Sequence, residues 1–116
     1  MSDEANPCRL DVLRRLETTI LERKATADAA TSHTARLLAA GAPKCAQKFG
    51  EEAVETVIAA LEESESQLAD EAADTLYHLL VLLAARGVSF DAVLAVLESR
   101  EGVSGIAEKA GRVRAD

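Results

Sequence analysis

Aromatic residues are scarce in this chain of 116 residues: tryptophan is absent, and Phe49, Phe90 and Tyr77 are the whole set. Runs of β-branched residues are rare too, so the apolar half of the composition rests on Ala, Leu and Val. That excludes a sheet-dominated domain and favours helices. Positive charge is also in short supply. Thirteen Lys and Arg stand against twenty Asp and Glu, a net charge of −7, and no basic stripe is present. A nucleic-acid partner is therefore not expected, and cations have to bridge any polyphosphate ligand. Cys8 and Cys45 lie far apart with no partner pattern around either, which excludes a disulfide framework and a zinc site and points to a reducing compartment. The longest apolar stretch, Leu79 to Ala85, is too short to span a bilayer, and the opening MSDEANPCR is polar and acidic, unlike a secretory leader. A soluble cytoplasmic protein with no membrane partner is expected.

What is present is helical punctuation over a single domain, residues 1–116. Asn6 and Pro7 announce a first helix, with Leu10, Leu13, Leu16 and Ile20 on one face. Small and polar residues from Ala25 to Thr31 read as a loop, ending at a cap on Ser32 or Thr34. A short helix around Leu37 and Leu38 stops at Gly41. Pro43 opens a third helix reaching to about Glu63, with Ala46, Phe49, Ala53, Val54, Val57 and Leu61 on its buried side. Ser64 and Gln67 have capping-box spacing, so a fourth helix starts there and ends at Gly87. Ser89 caps a fifth, with Val88 placed to staple against Val93, and Phe90, Val93, Leu94 and Leu97 turned inward. The tail, about 103–116, is glycine-punctuated and basic and is expected to be partly mobile. The fold expected is all-α, a bundle of about five helices. The segment LYHLLVLLAA (Leu76 to Ala85) is apolar all round, more than five short helices can cover, so a homodimer is expected to complete a four-helix core.

Chemistry enters through the acids. At about 100° per residue, Lys44, Lys48, Glu51, Glu52 and Glu55 of the third helix fall within an arc of roughly 100°. A solvated face with i, i+4 pairs such as Lys48 with Glu52 would explain that pattern alone. In the fourth helix, however, Glu71, Asp74 and His78 share a stripe roughly 60° wide that leads into the apolar segment. Buried carboxylates need a compensating positive charge. Glu52 and Glu55 lie about as far before the turn as Glu71 and Asp74 lie after it, so the four converge in an antiparallel pair of helices. Four oxygen donors suit Mg²⁺ or Mn²⁺ rather than zinc. A di-iron bundle needs Glu three residues before His on two helices, and Ala30 and Thr75 occupy those places. His78 reads as a core or supporting histidine, because Mg²⁺ prefers oxygen.

The pair EEAVE (Glu51 to Glu55) and EAAD (Glu71 to Asp74) resembles the ExxE and ExxD signature of the all-helical, MazG-like nucleotide pyrophosphohydrolases. Four strings in order, TARLL from Thr34, KCAQKFGEEAVE from Lys44, EAADTLYHLLVLLAARGVS from Glu71 and SGIAEKAGR from Ser104, are similar to the phosphoribosyl-ATP pyrophosphohydrolase family within it. The resemblance implies hydrolysis of phosphoribosyl-ATP to phosphoribosyl-AMP and pyrophosphate, the second step of histidine biosynthesis, with Mg²⁺ held by Glu52, Glu55, Glu71 and Asp74. Two positions depart from that pattern: His33 stands where the family usually has Tyr or Trp, and Gly111 where it usually has Ser.

Such a reaction needs a carboxylate to orient or deprotonate water, and Glu51, beside the metal stripe but spare as a ligand, is the candidate base. Lys44 and Lys48 are placed to meet phosphate oxygens of the nucleotide substrate, and Lys109 and Arg112 of the tail to close over its second phosphate end. A general nucleoside triphosphate pyrophosphohydrolase and a non-catalytic helical dimerisation module are the alternatives. The SGIAEKAGR tail speaks against the first and the buried acids against the second.

Overall fold

The computed structural model describes residues 7–102. A 3₁₀ turn at Pro7–Leu10 runs into α1 (Asp11–Thr26), followed by α2 (His33–Ala40), α3 (Ala42–Glu62), α4 (Glu65–Ala85) and α5 (Phe90–Ser99). Among the described residues there is no strand. The punctuation works as its chemistry predicts. Ser32 Oγ accepts the Ala35 N–H, Ser89 Oγ accepts the Ala92 N–H, and Ser64 with Gln67 forms a reciprocal capping box. Gly41, at φ 96°, ends α2 and launches α3 in one residue, a conformation that strains any side chain.

The N-terminal boundary and the first loop differ from expectation. Asn6 lies outside the described residues, and the chain enters α1 through the 3₁₀ turn with no side-chain cap at Leu10. Helix α1 also runs on through Ala25 and Thr26, because the Ala27 N–H still reaches the Arg23 carbonyl and the Thr26 hydroxyl folds back on Glu22. The tail at 103–116, with Lys109 and Arg112, lies outside the described residues.

Ile20, Leu37, Cys45, Leu80, Val81 and Ala84 form one buried cluster drawn from four helices, with Leu13, Leu16, Tyr77 and Phe90 packed against it. Burying side chains such as Ile20 and Val81 is worth about 1.5–3 kcal/mol each. Polar stitches close this end. Lys24 Nζ donates to the Ala84 carbonyl at 2.7 Å, where α4 runs out of intrahelical partners, and the Glu17 carboxylate accepts the Phe90 N–H at 2.7 Å where α5 begins. Helix α1 thus holds both sides of the α4 to α5 turn.

Beyond that core, α3 and α4 continue as a two-helix hairpin with fewer neighbours. Val54, Val57 and Leu61, expected on the buried side of α3, are 57%, 58% and 80% exposed, and Leu76 of α4 is 43% exposed. The apolar period is there, but among the described residues nothing covers this part of it. Leu97 of α5, expected to point inward, is likewise exposed, as is Val88, whereas Val93 and Leu94 are half-buried.

Candidate active site

The hairpin carries the acids. Glu52 of α3 and Glu71 and Asp74 of α4 each offer a carboxylate oxygen, all within 4.8 Å of one another; Glu52 and Glu71 are half-buried and Asp74 is exposed. Local sequence sets this up. The capping box fixes where α4 starts, and i, i+3 spacing puts Glu71 and Asp74 on the side that faces Glu52. Glu55, the fourth expected ligand, lies one turn along α3, close enough to repel Glu71 electrostatically but outside the tight trio.

The electrostatics are those of mutually repelling carboxylates. Partial burial, then repulsion from Asp74, Glu52, Glu55 and Glu63, pushes the Glu71 carboxyl above the usual carboxylate range. Lys48, the nearest lysine in sequence to Glu52, does not relieve this: its ammonium pairs with Glu51 at 3.2 Å, at i, i+3. Glu51 also accepts a hydrogen bond from Gln47 Nε2 at 2.9 Å, and these two contacts, Gln47 first, hold its carboxyl below the usual range. Lys44 is exposed one turn earlier on α3. Lys48 is therefore beside the acids but paired with Glu51, and three oxygen donors converge without it. Such a donor set fits Mg²⁺ or Mn²⁺ and not a thiophilic metal.

Behind the trio sits His78, one turn after Asp74 on α4. It is 7% exposed, and its Nδ1 is buried without a hydrogen-bond partner. Burial lowers its basicity first, with Lys48 and His33 adding to that and Glu52 and Asp74 opposing it. Tyr77 packs edge-on to its ring at 4.9 Å and His33 at 6.5 Å. The Tyr77 hydroxyl in turn hydrogen-bonds Thr34, tying α4 to the start of α2. The sequence pattern read His78 as a core or supporting histidine, and it is buried, but the pattern could not show its orphaned nitrogen. It missed two further residues on the seam, Thr56 and Thr75, for which a β-branched hydroxyl in mid-helix is the only local signal. Two hollows, of about 530 and 560 Å³, lie at the start of α2 and between α1 and α5; the acidic trio lines neither.

A family profile described as phosphoribosyl-ATP pyrophosphohydrolase matches residues 13–101, a span holding every acid of the site. The chain is 61% identical over 103 residues to the phosphoribosyl-ATP pyrophosphatase of Cereibacter sphaeroides (strain ATCC 17029), covering 89% of this chain and 99% of that one. It is 60% identical to the protein of the same name from Dinoroseobacter shibae and 58% identical to that from Erythrobacter litoralis, again over 89% of this chain, and 100% and 98% of theirs.

Proposed function

Since this chain belongs to the phosphoribosyl-ATP pyrophosphohydrolase family, we infer that the acidic seam between α3 and α4 is where it works. The protein is a hydrolase: it converts phosphoribosyl-ATP to phosphoribosyl-AMP and pyrophosphate, a step of histidine biosynthesis. The observation that carries the site is the convergence of Glu52, Glu71 and Asp74 within 4.8 Å.

Those three, with Glu55 completing the set from the next turn of α3, would hold Mg²⁺ or Mn²⁺. Bound there, the cation supplies neutralisation of the triphosphate oxygens. The chain's own residues do the rest. Lys48 and Lys44 flank the acids on α3 and offer point charges to the same phosphates. Glu51 stays beside the trio as the carboxylate that meets the attacking water. Its ties to Lys48 and Gln47 hold it ionised and in one place, which favours orienting that water, and its base role is the part these ties weaken. Lys109 and Arg112 are assigned to the distal ribose phosphate.

Two further parts belong to this reading. The open apolar face of Val54, Val57, Ile58 and Leu61 on α3 is where a second copy pairs, hairpin on hairpin. Cytoplasmic residence suits a biosynthetic step on a nucleotide substrate, and no single helix among the described residues is long and apolar enough to cross a membrane.

The test is pyrophosphate release from phosphoribosyl-ATP with Mg²⁺, with Mn²⁺ and with chelator. Turnover is expected with either cation and not with chelator. A preference for ordinary nucleoside triphosphates would move the assignment to a general pyrophosphohydrolase with the same metal seam.

A further inference from the structure

Thr18, Thr19 and Thr26 of α1 are exposed and hydrogen-bond the carbonyl four residues back on their own helix, the ordinary fate of threonine in a helix. Thr56 and Thr75 do more. Both are half-buried on the seam between α3 and α4, with their hydroxyl oxygens 2.7 Å apart. The Thr56 hydroxyl reaches the Glu52 carbonyl of its own helix at 3.1 Å and the Glu71 carbonyl of the other at 3.0 Å. The Thr75 hydroxyl reaches the Glu71 carbonyl of its own helix at 3.0 Å and the Glu52 carbonyl of the other at 3.0 Å. Two hydroxyls and two carbonyls thus form a closed diamond across the seam, each helix contributing one of each.

The two carbonyls belong to Glu52 and Glu71, the residues whose carboxylates meet in the acidic trio. Each hydroxyl has one proton to donate: at 2.7 Å one hydroxyl donates to the other, which donates in turn to a carbonyl, and this chain ties the helices at one level. At the height of the acids the half-buried residues of the two helices are Glu52, Ala53, Thr56, Glu71, Ala72 and Thr75, with no large apolar side chain among them. The fully buried residues of α3 are Cys45, two turns before Glu52, and Ala59, too small to key into a groove, while Val54, Val57 and Leu61 face outward. Interlocking of large side chains, the usual means of fixing one helix against another, is missing at the height of the acids.

We propose that Thr56 and Thr75 are positioning residues that lock α3 against α4 in the register at which Glu52, Glu71 and Asp74 can share one divalent cation. The inference rests on the reading of that trio as a metal site. Valine in place of either threonine sets a methyl group about 3 Å from a carbonyl oxygen, closer than carbon and oxygen approach, so the helices separate by a few tenths of an ångström. The acids then have to be drawn together by the ion itself. Supporting groups of this kind change metal affinity about 10- to 100-fold when replaced.

The experiment is a Mn²⁺ titration of the full chain followed by electron paramagnetic resonance, without substrate, beside thermal unfolding in chelator. Thr56→Val and Thr75→Val are expected to raise the Mn²⁺ dissociation constant at least about tenfold, while Thr56→Ser and Thr75→Ser, which keep the hydroxyl, stay close to wild type. Because the hydroxyls act as one unit, the double valine variant should bind no more weakly than the weaker single one. Should a valine variant fail to fold, Thr56→Ala and Thr75→Ala take its place and must show the same loss. Folded hydroxyl-free variants that bind Mn²⁺ like wild type, or serine variants as weak as the valine ones, overturn the proposal. Glu71→Gln separates the two readings. If it loses Mn²⁺ while the valine variants keep it, the metal site stands and the clamp falls; if wild type takes up no Mn²⁺, both fall.

Discussion

Replacing Leu61 with serine tests the pairing of two chains and has a magnitude that follows from exposure. Burying a leucine is worth about 1.5–3 kcal/mol, and four-fifths of Leu61 is open on the single chain, so covering it contributes about 1–2.5 kcal/mol per copy. A two-fold axis repeats every contact, which doubles the loss on Leu61→Ser to about 2–5 kcal/mol per dimer. The dimer dissociation constant should rise by about 30-fold to several thousand-fold. The fold of each chain should be little affected, because that side chain touches little of its own protomer. Sedimentation velocity over a dilution series reads the constant directly. Leu10→Ser is the control: that leucine is 73% exposed but sits on the 3₁₀ turn away from the hairpin, and its loss should leave the constant unchanged. A wild-type chain that sediments as a monomer at tens of micromolar, roughly −6 to −7 kcal/mol on the affinity scale, would refute the reasoning. So would a Leu10→Ser variant that dissociates more readily than Leu61→Ser.

Three other outcomes are expected. Glu71→Gln and Asp74→Asn should each abolish Mg²⁺-dependent turnover yet melt no lower than wild type in chelator, since each removes a repelling charge; unfolding or near-normal activity in either would show the acids to be structural. His78 is less basic folded than unfolded, so its contribution to stability is present above about pH 6.5 and is lost as pH falls below it. Melting curves from pH 7 to 5 should therefore slope less steeply for His78→Phe than for wild type, and equal slopes would count against it. Truncation after Gly102 should slow phosphoribosyl-ATP hydrolysis at least about tenfold, the equivalent of about 1.4 kcal/mol of charge-assisted contact, while slow ATP hydrolysis changes little. Equal loss on both substrates would remove the specificity role given to Lys109 and Arg112.

Much of this protein was legible in one dimension, because the features concerned are local. Ser32, Ser64 with Gln67, and Ser89 satisfy the N–H groups of the next turn, and Gly41 adopts a backbone angle that other residues avoid, so helix boundaries follow from neighbours in the chain. The i, i+3 spacing that puts Glu71 and Asp74 on one side of α4 is likewise a property of the helix itself. Even α1's overrun to Thr26 is a matter of two residues at a frayed end.

Tertiary structure decided what distance and burial decide. Four acids were within reach of the seam by spacing, but only the packing of α3 on α4 shows Glu52, Glu71 and Asp74 meeting while Glu55 stands a turn away. Lys48 had Glu51 and Glu52 both within helical reach, and the choice of Glu51 leaves the trio without its nearest cation. The apolar period of α3 was plain, yet which of its residues are covered depends on neighbours that a period does not name: Cys45 and Ala59 are buried and Leu61 is open. The Thr56 and Thr75 diamond, hinted at only by hydroxyls in mid-helix, and the unpartnered Nδ1 of His78 each depend on a second helix arriving at one particular height.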